Sequence, residues 1–230
     1  MRRPMISKDS TMKNRIAAPF AAAAAALALV FAASATLNGV GAQESAPAAA
    51  AAKITLDPVH TMAIFRVQHL GAGFLFGRFN ELTGSVLWPL DDGAAPVFDV
   101  TAQINKVDTG SEKLDGNLQG PNFFNQAEFP TMTFKSKSAK KLGDRHYTVT
   151  GDLMLRGVTK SIDVDCTVTG VGKSPLGPRV GFECLFAINR ADYGMKWGID
   201  VPKGVVGSEV KITIALEGDV AKTDAPKTTP

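Results

Sequence analysis

Residues 158–190, VTKSIDVDCTVTGVGKSPLGPRVGFECLFAINR, carry the pattern that decides the fold. Apolar and polar residues alternate on both sides of the turn sequence SPLG at 174–177, and this period of two is typical of a strand with one buried face. Strands with one apolar face pair antiparallel in most proteins. The stretch therefore predicts a long antiparallel hairpin with strands over 158–170 and 178–190.

The only two cysteines of the chain lie in this hairpin and test its register. A hairpin that turns about Pro175 places Cys166 opposite Cys184 and Val168 opposite Phe182, with all four side chains on the apolar face. Directly opposed Cβ atoms lie about 4.5–5.5 Å apart, which is near disulfide range. Two interpretations stay open, a disulfide in an oxidising compartment and a pair of buried free thiols.

The same period of two recurs along the rest of the chain. Eight one-faced strands either stack as a sandwich or close as a barrel, and long consecutive strands with short turns favour the barrel. We predict an all-β fold, an eight-stranded antiparallel up-and-down barrel with one or two short helices. The strands are expected at 60–69, 82–88, 98–104, 131–137, 147–156, 158–170, 178–190 and 210–217, and the helices at 111–119 and 122–126.

The amino-terminal region has the composition of a secretion signal. Residues 1–15 contain five basic side chains, and residues 16–43 contain no charge and an alanine-rich apolar centre. We predict a signal peptide over 1–42, since small residues at 40–42 suit signal peptidase. The alternative is an uncleaved anchor, because an apolar core of about 17 residues is at the short limit for spanning a bilayer.

Removal of this segment changes the charge of the chain. The segment contains five of the 25 basic and one of the 22 acidic residues, so the remaining chain has a net charge of −1. A net charge this close to zero does not predict binding to nucleic acid or to an anionic membrane through bulk charge. Residues 43–52 are expected to be an alanine-rich linker and residues 221–230 a disordered tail, which leaves one domain over 53–220.

The motifs of catalysis and of metal binding are missing from the sequence. It contains no glycine-rich phosphate loop, no G-x-S-x-G, no C-x-x-C and no H-E-x-x-H. Both cysteines are mid-strand on an apolar face, which is a poor context for a nucleophile. His60 and His69 are separated by an odd number of positions, so a strand directs them to opposite faces. We therefore predict that the protein is not an enzyme and has no cofactor or metal.

Residues 57–79, DPVHTMAIFRVQHLGAGFLFGRF, suggest the edge of a pocket. Phe65, Val67 and His69 share the apolar face of a strand that is expected to break at Leu70-Gly71, and a lip rich in glycine and phenylalanine follows. His69 is either a core histidine bonded to a backbone carbonyl or a polar anchor at the pocket mouth. Small inward residues such as Ala102 could leave a void, although aromatic residues could equally fill the barrel.

Five segments in this order resemble the YceI-like family of periplasmic polyisoprenoid-binding proteins: DPVHTMAIFRVQHLG, VDTGSEKLDGNL, NFFNQAEFPTMTFKS, TGDLMLRGVTKSI and INRADYGM. The resemblance covers residues 53–218. It implies a lipocalin-like barrel that takes a long apolar chain into its interior, and a periplasmic location. After Asp115 the chain departs from the family pattern, with Asn117, Gln119, Gly120 and Asn122 where the family has His, a basic residue, Ser and Asp. The departure concerns the headgroup preference that the resemblance implies and leaves the lipid-tail pocket unaffected.

The resulting hypothesis is a periplasmic carrier that sequesters one isoprenoid or quinone-type lipid, with His69 and the 111–124 region contacting the headgroup. Transient membrane contact and a homodimer are both compatible with it. The alternatives are a ligand-free envelope stress protein with a filled barrel, and an accessory protein of quinone-linked redox chemistry. The predicted ligand-binding residues are Phe65, Val67, His69, Phe74, Phe76, Phe98, Phe123, Phe124, Phe134, Leu153, Leu155, Phe182, Phe186, Ile188 and Trp197.

Overall fold

The computed structural model describes residues 51–88, 95–175, 177–200 and 205–221. The predicted signal peptide, most of the linker and nearly all of the tail lie outside these residues. None of the helices in the described ranges is long and apolar enough to cross a bilayer. The strands are β1 Ala52–Leu56, β2 Met62–His69, β3 Gly73–Asn80, β4 Thr83–Trp88, β5 Val97–Gln103, β6 Val107–Asp108, β7 Thr131–Gly143, β8 His146–Leu155, β9 Val158–Ser174, β10 Gly177–Asn189 and β11 Val206–Val220; the one α-helix among the described residues, α1, is Glu112–Gln119, and 3₁₀ turns occupy Ile104–Lys106 and Arg190–Tyr193.

The strands close into a barrel of eight positions. β1 and β2 pair with successive parts of β11 and together form one position. The next position is formed by β4, which pairs with β1, and by β3, which pairs with β2. The third is formed by β5, which pairs with β4, and by β6, which pairs with β3. Three of the eight positions are thus interrupted strands, and the other five are β7 to β11. Each position is hydrogen-bonded to its sequence neighbours, and β11 returns to the first. The predicted all-β, eight-stranded antiparallel up-and-down barrel is confirmed.

The β9–β10 hairpin has the predicted register at its centre. Cys184 lies opposite Cys166, and Phe182 lies opposite Val168. A bulge between Gly181 and Phe182 shifts the pairing by one residue towards the turn. Such a bulge increases the local twist and helps a sheet to curve into a barrel.

Two local predictions were wrong. Residues 73–80 are not an irregular lip but the strand β3, which pairs along its whole length with β2. Large apolar residues occupy both faces of β3, so its sequence lacks the alternation that marks the other strands. The second helix, predicted at 122–126, is a series of turns in which Phe124 N donates to Leu118 O and Asn125 N donates to Gly120 O.

The barrel has two unlike ends. β2, β8 and β10 finish at the end where β9 and β11 begin, which we call the mouth. The opposite end is closed by side chains that meet on the barrel axis. There the ring of Phe182 packs edge-to-face against Trp88 at 6.1 Å and against Phe98 at 5.4 Å between centroids. All three are almost fully buried, so aromatic packing seals this end.

Candidate functional site

A cavity of 510 Å³ occupies the barrel between its centre and the mouth. This volume is typical of pockets that bind small organic molecules. The lining comes from β2, β3, β5, β7 to β11, α1, the segment after α1 and the segment after β10, and most of it is apolar. Among the described residues, no Asp or Glu lines the cavity. An apolar space of this kind suits a hydrocarbon chain.

Most of the predicted ligand-binding residues come together around this space. They reach it from different strands because the inward-facing side chains of every strand converge on the barrel axis. Whether they contact a ligand stays a prediction. The ones that line the cavity are Phe65, Val67, His69, Phe98, Phe123, Phe124, Phe134, Leu153, Leu155, Phe186, Ile188 and Trp197.

The structure places the other three predicted residues elsewhere. Phe74 and Phe76 are on the outer face of β3 and are exposed, because this strand directs Leu75 and Phe79 inward instead. Phe182 is inward-facing, but it belongs to the packed closed end and is only 1% exposed. The contribution of β3 to the wall is therefore Leu75 and Phe79, which the sequence pattern did not separate from their neighbours.

Two glycines on the barrel wall help to keep the axis open. A Cβ atom at Gly77 would collide with the ring of Phe65, and one at Gly151 would lie 2.5 Å from the ring of Phe134. Both phenylalanine rings can therefore lie against the backbone of the neighbouring strand. With larger residues at these glycines the rings would have to move into the cavity.

Polar groups gather at the mouth. His69, Asn117 and Asn122 line the cavity there and are exposed. The ring of His69 has no hydrogen-bond partner among the described residues, so the structure contradicts the interpretation as a core histidine bonded to a carbonyl. Asn117 and Asn122 are two of the positions at which the chain departs from the family pattern. The mouth therefore presents an imidazole and two neutral amides.

Side-chain contacts fix the segment that follows α1 across the mouth. Arg156 donates from Nη1 to Gly194 O at 2.7 Å and from Nη2 to Pro121 O at 2.8 Å. The rings of Phe123 and Trp197 are 5.6 Å apart between centroids. The guanidinium of Arg156 therefore joins two segments that border the cavity.

Arg190 is a buried residue of the mouth that the sequence pattern does not mark. It is 3% exposed and lines the cavity, and no described carboxylate pairs with it. Its guanidinium donates to the backbone carbonyls of Gly207, Met195, Trp197 and Val206, at 2.6–2.8 Å. Burial lowers the pKa of the guanidinium. The side chain thereby holds the described residues on both sides of 201–204 in place beside His69.

The two cysteines lie in the cavity wall as buried free thiols, with their Sγ atoms 3.2 Å apart. The hydrogen bond to Cys166, together with burial, raises the pKa of Cys184 well above its usual value. A thiol that stays protonated is a weak nucleophile and exchanges slowly with other thiols. The oxidised form of the pair stays a prediction.

Comparison with known proteins identifies relatives over the whole barrel. A model of the YceI-like domain matches residues 54–218. The protein YceI of Escherichia coli O157:H7 is 37% identical over 167 residues, which cover 72% of this chain and 85% of that protein. The crystal structure of Burkholderia cenocepacia BcnA superposes with a TM-score of 0.61 at 20% identity, over 71% of this chain and 99% of BcnA. A polyisoprenoid binding domain from Saccharophagus degradans superposes with a TM-score of 0.56 at 19% identity, over 73% and 98% of the two chains.

Proposed function

The chain belongs to the YceI-like family, and on that premise we propose that it is a periplasmic carrier that holds one isoprenoid or similar long-chain lipid inside its barrel. The observation that carries the proposal is the largely apolar cavity of 510 Å³, which no described Asp or Glu lines and which has His69, Asn117 and Asn122 at its mouth. The description of the Saccharophagus degradans relative as polyisoprenoid-binding supports the ligand class. The basic and then apolar amino-terminal segment supports export to the periplasm.

Burial of the chain supplies the affinity. Each methylene that leaves water contributes about 0.8 kcal/mol, so a long hydrocarbon gains several kcal/mol beyond the cost of ordering it. No catalytic group is needed for this. His69, Asn117 and Asn122 then orient the polar end of the lipid at the mouth by hydrogen bonds. Neutral amides at two of these positions favour a head that accepts or donates hydrogen bonds without needing a full charge.

The alternative of a filled barrel that acts through its surface predicts no internal space, and the cavity argues against it. Native mass spectrometry of the protein purified from its own host tests the two hypotheses directly. A carrier is expected to show one lipid adduct per chain that disappears after extraction with organic solvent. Purified protein that repeatedly lacks an adduct, and also fails to take up an added isoprenoid lipid, would overturn the proposal.

A further inference from the structure

The β2–β3 hairpin exposes an unusual set of apolar side chains. We call Leu70, Phe74 and Phe76, together with Trp197 of the cavity lining, the apolar rim. Single exposed apolar residues are common on soluble proteins, but several large exposed apolar residues beside a pocket indicate an interaction surface. The exposed fractions are 58% for Leu70, 55% for Phe74, 56% for Phe76 and 47% for Trp197.

Leu70 is unfavourable at its position for two reasons. Leu70 and Gly71 have φ angles of 53° and 65°, and Ala72 N donates to His69 O at 3.1 Å, as in a type I′ turn. Asn, Asp or Gly suits the first position of such a turn, whereas leucine is strained there. The exposed side chain does not offset this strain by packing in the core. A strained and solvent-exposed leucine suggests a role outside the folded chain.

The apolar rim is continuous with the cavity mouth. Leu70 directly follows His69, which lines the cavity, and Leu70 N donates to the carbonyl of Val205 at 2.9 Å. Leu75 lines the cavity from the inner face of β3, while Phe74 and Phe76 flank it on the outer face. The hairpin is therefore a single layer of backbone between the cavity and the exposed aromatic rings.

Arg66 completes the outer face of the hairpin. Its guanidinium lies 4.6 Å from the centroid of the Phe74 ring, and the strand register places it opposite Phe76. No described carboxylate forms an ion pair with it. Aromatic rings beside an arginine are typical of segments that enter the headgroup region, where the rings meet acyl chains and the cation meets phosphate.

We propose that the apolar rim docks on the surface of a phospholipid bilayer, so that lipid passes between the membrane and the cavity without crossing water. The proposal rests on the proposed carrier function. Phe74 is three residues from Gly71, about 10 Å along the strand, which matches the depth of about 5–10 Å that interfacial segments reach. Because the exported chain is nearly neutral, insertion of apolar groups rather than long-range attraction drives the contact, and added salt should weaken it little.

Flotation of the full exported chain with phosphatidylcholine vesicles tests the docking. The wild type is expected to float with the vesicles, and Leu70→Asn combined with Phe74→Ser should lower the partition coefficient by about tenfold or more. The matched control is Leu87→Ser combined with Val97→Ser, an exposed cross-strand pair between β4 and β5, away from the mouth. The control should float like the wild type.

Leu70→Asn alone separates a membrane role from a structural one. Asparagine tolerates the positive φ of the turn, so this variant should have a higher melting temperature and a lower vesicle partition coefficient at once. A residue needed only for folding would change both in the same direction. If Leu70→Asn raises the melting temperature and leaves flotation unchanged, Leu70 does not insert and the docking proposal is overturned.

Fluorescence locates the contact. Brominated phosphatidylcholine should quench Trp197, which is exposed, but not Trp88, which is buried at the closed end. The Trp197→Phe variant should therefore lose the quenching.

Wild-type protein that holds a lipid adduct but never floats would overturn the docking and leave the carrier function intact. Rim-dependent flotation by a protein that never holds lipid would overturn the carrier function instead. If Phe74→Ser converts a dimer to a monomer without changing flotation, the apolar rim is an interface between two copies, which also overturns the docking.

Discussion

The closed end and the mouth of the barrel are made from similar residues but serve different purposes. Both contain phenylalanines on the inward faces of long strands, and both share strand β10, which contributes Phe182 to the closed end and Phe186 to the cavity. At the closed end the rings of Trp88 and Phe98 pack against Phe182 and fill the space, with Phe98 also forming part of the cavity lining. Towards the mouth, Gly77 and Gly151 let the rings of Phe65 and Phe134 lie against the wall. The difference shows that an apolar inward face does not by itself define a pocket.

The largest effect that separates the two ends is expected from truncating one phenylalanine at each. Phe182→Ala should destabilise the protein by about 3–5 kcal/mol, because it removes a fully buried ring from a close-packed cluster. Phe186→Ala should cost much less, since that ring is only partly buried and faces a space that is already empty. Urea unfolding measures both variants. Equal destabilisation by the two would show that the mouth half is packed as densely as the closed end.

The second effect concerns how the mouth is held together. Arg190→Met should destabilise the protein by about 3 kcal/mol, because buried carbonyls lose their charged donor. Arg190→Lys should recover little of this, since an ammonium group cannot reproduce the planar fork that reaches four carbonyls. Chemical unfolding and the emission of Trp197 report the change. Full stability of Arg190→Met would show that apolar packing alone holds the mouth.

The third prediction tests whether the barrel cavity binds lipid. Ala102→Phe places a ring in the cavity and should remove lipid uptake while changing stability by less than about 1.5 kcal/mol, whereas overpacking a filled core costs about 1–3 kcal/mol. Gln103→Phe on the outer face of the same strand is the control. Lipid uptake and thermal unfolding are measured on both variants. Strong destabilisation by Ala102→Phe with unchanged lipid uptake would contradict the assignment of the cavity as the binding site.

The smallest effect belongs to the ion pairs at the closed end. Hydrogen bonds from His60 and from Val59 N lower the pKa of Asp57 to about 2, and Arg179 lies 3.0 Å from the same carboxylate. Because the folded pKa is below the ordinary value of 3.8, this stabilisation is present above pH 4 and is lost as the pH falls towards 2. The Asp57→Asn variant should therefore lose less stability than the wild type between pH 4 and pH 2. Urea midpoints across this range measure the difference, and parallel curves would exclude the role of Asp57.

Much of the fold was predictable because strand alternation is a local property. The period of two identified most of the strands, and the turn at Pro175 placed Cys166 opposite Cys184. β3 was missed since Phe74 and Phe76 on one face and Leu75 and Phe79 on the other hide its alternation. A strand of this kind is recognisable only from the partner that supplies its hydrogen bonds.

The candidate site was predictable in composition but not in boundary. Phe182 and Phe186 have the same parity on one strand, so the sequence contains no local signal that separates core from cavity. Arg190 ends the predicted strand over 178–190, and nothing in the local pattern shows that it is buried, because its four carbonyl partners lie 5 to 17 positions further along the chain. The pairing of β10 with β11, which places Asn189 opposite Glu209, brings the carbonyls of Val206 and Gly207 back to Arg190.

The sequence by itself determined the class of the fold, most of the inward-facing apolar residues and the family, because these depend on period, turns and motif order. The tertiary structure alone decided where the barrel is filled and where it is empty, because that depends on which side chains from different strands meet at the same height on the axis. It also decided that Phe74 and Phe76 face outward beside the mouth. Strand pairing sets that direction, and pairing is a property of two strands rather than of one.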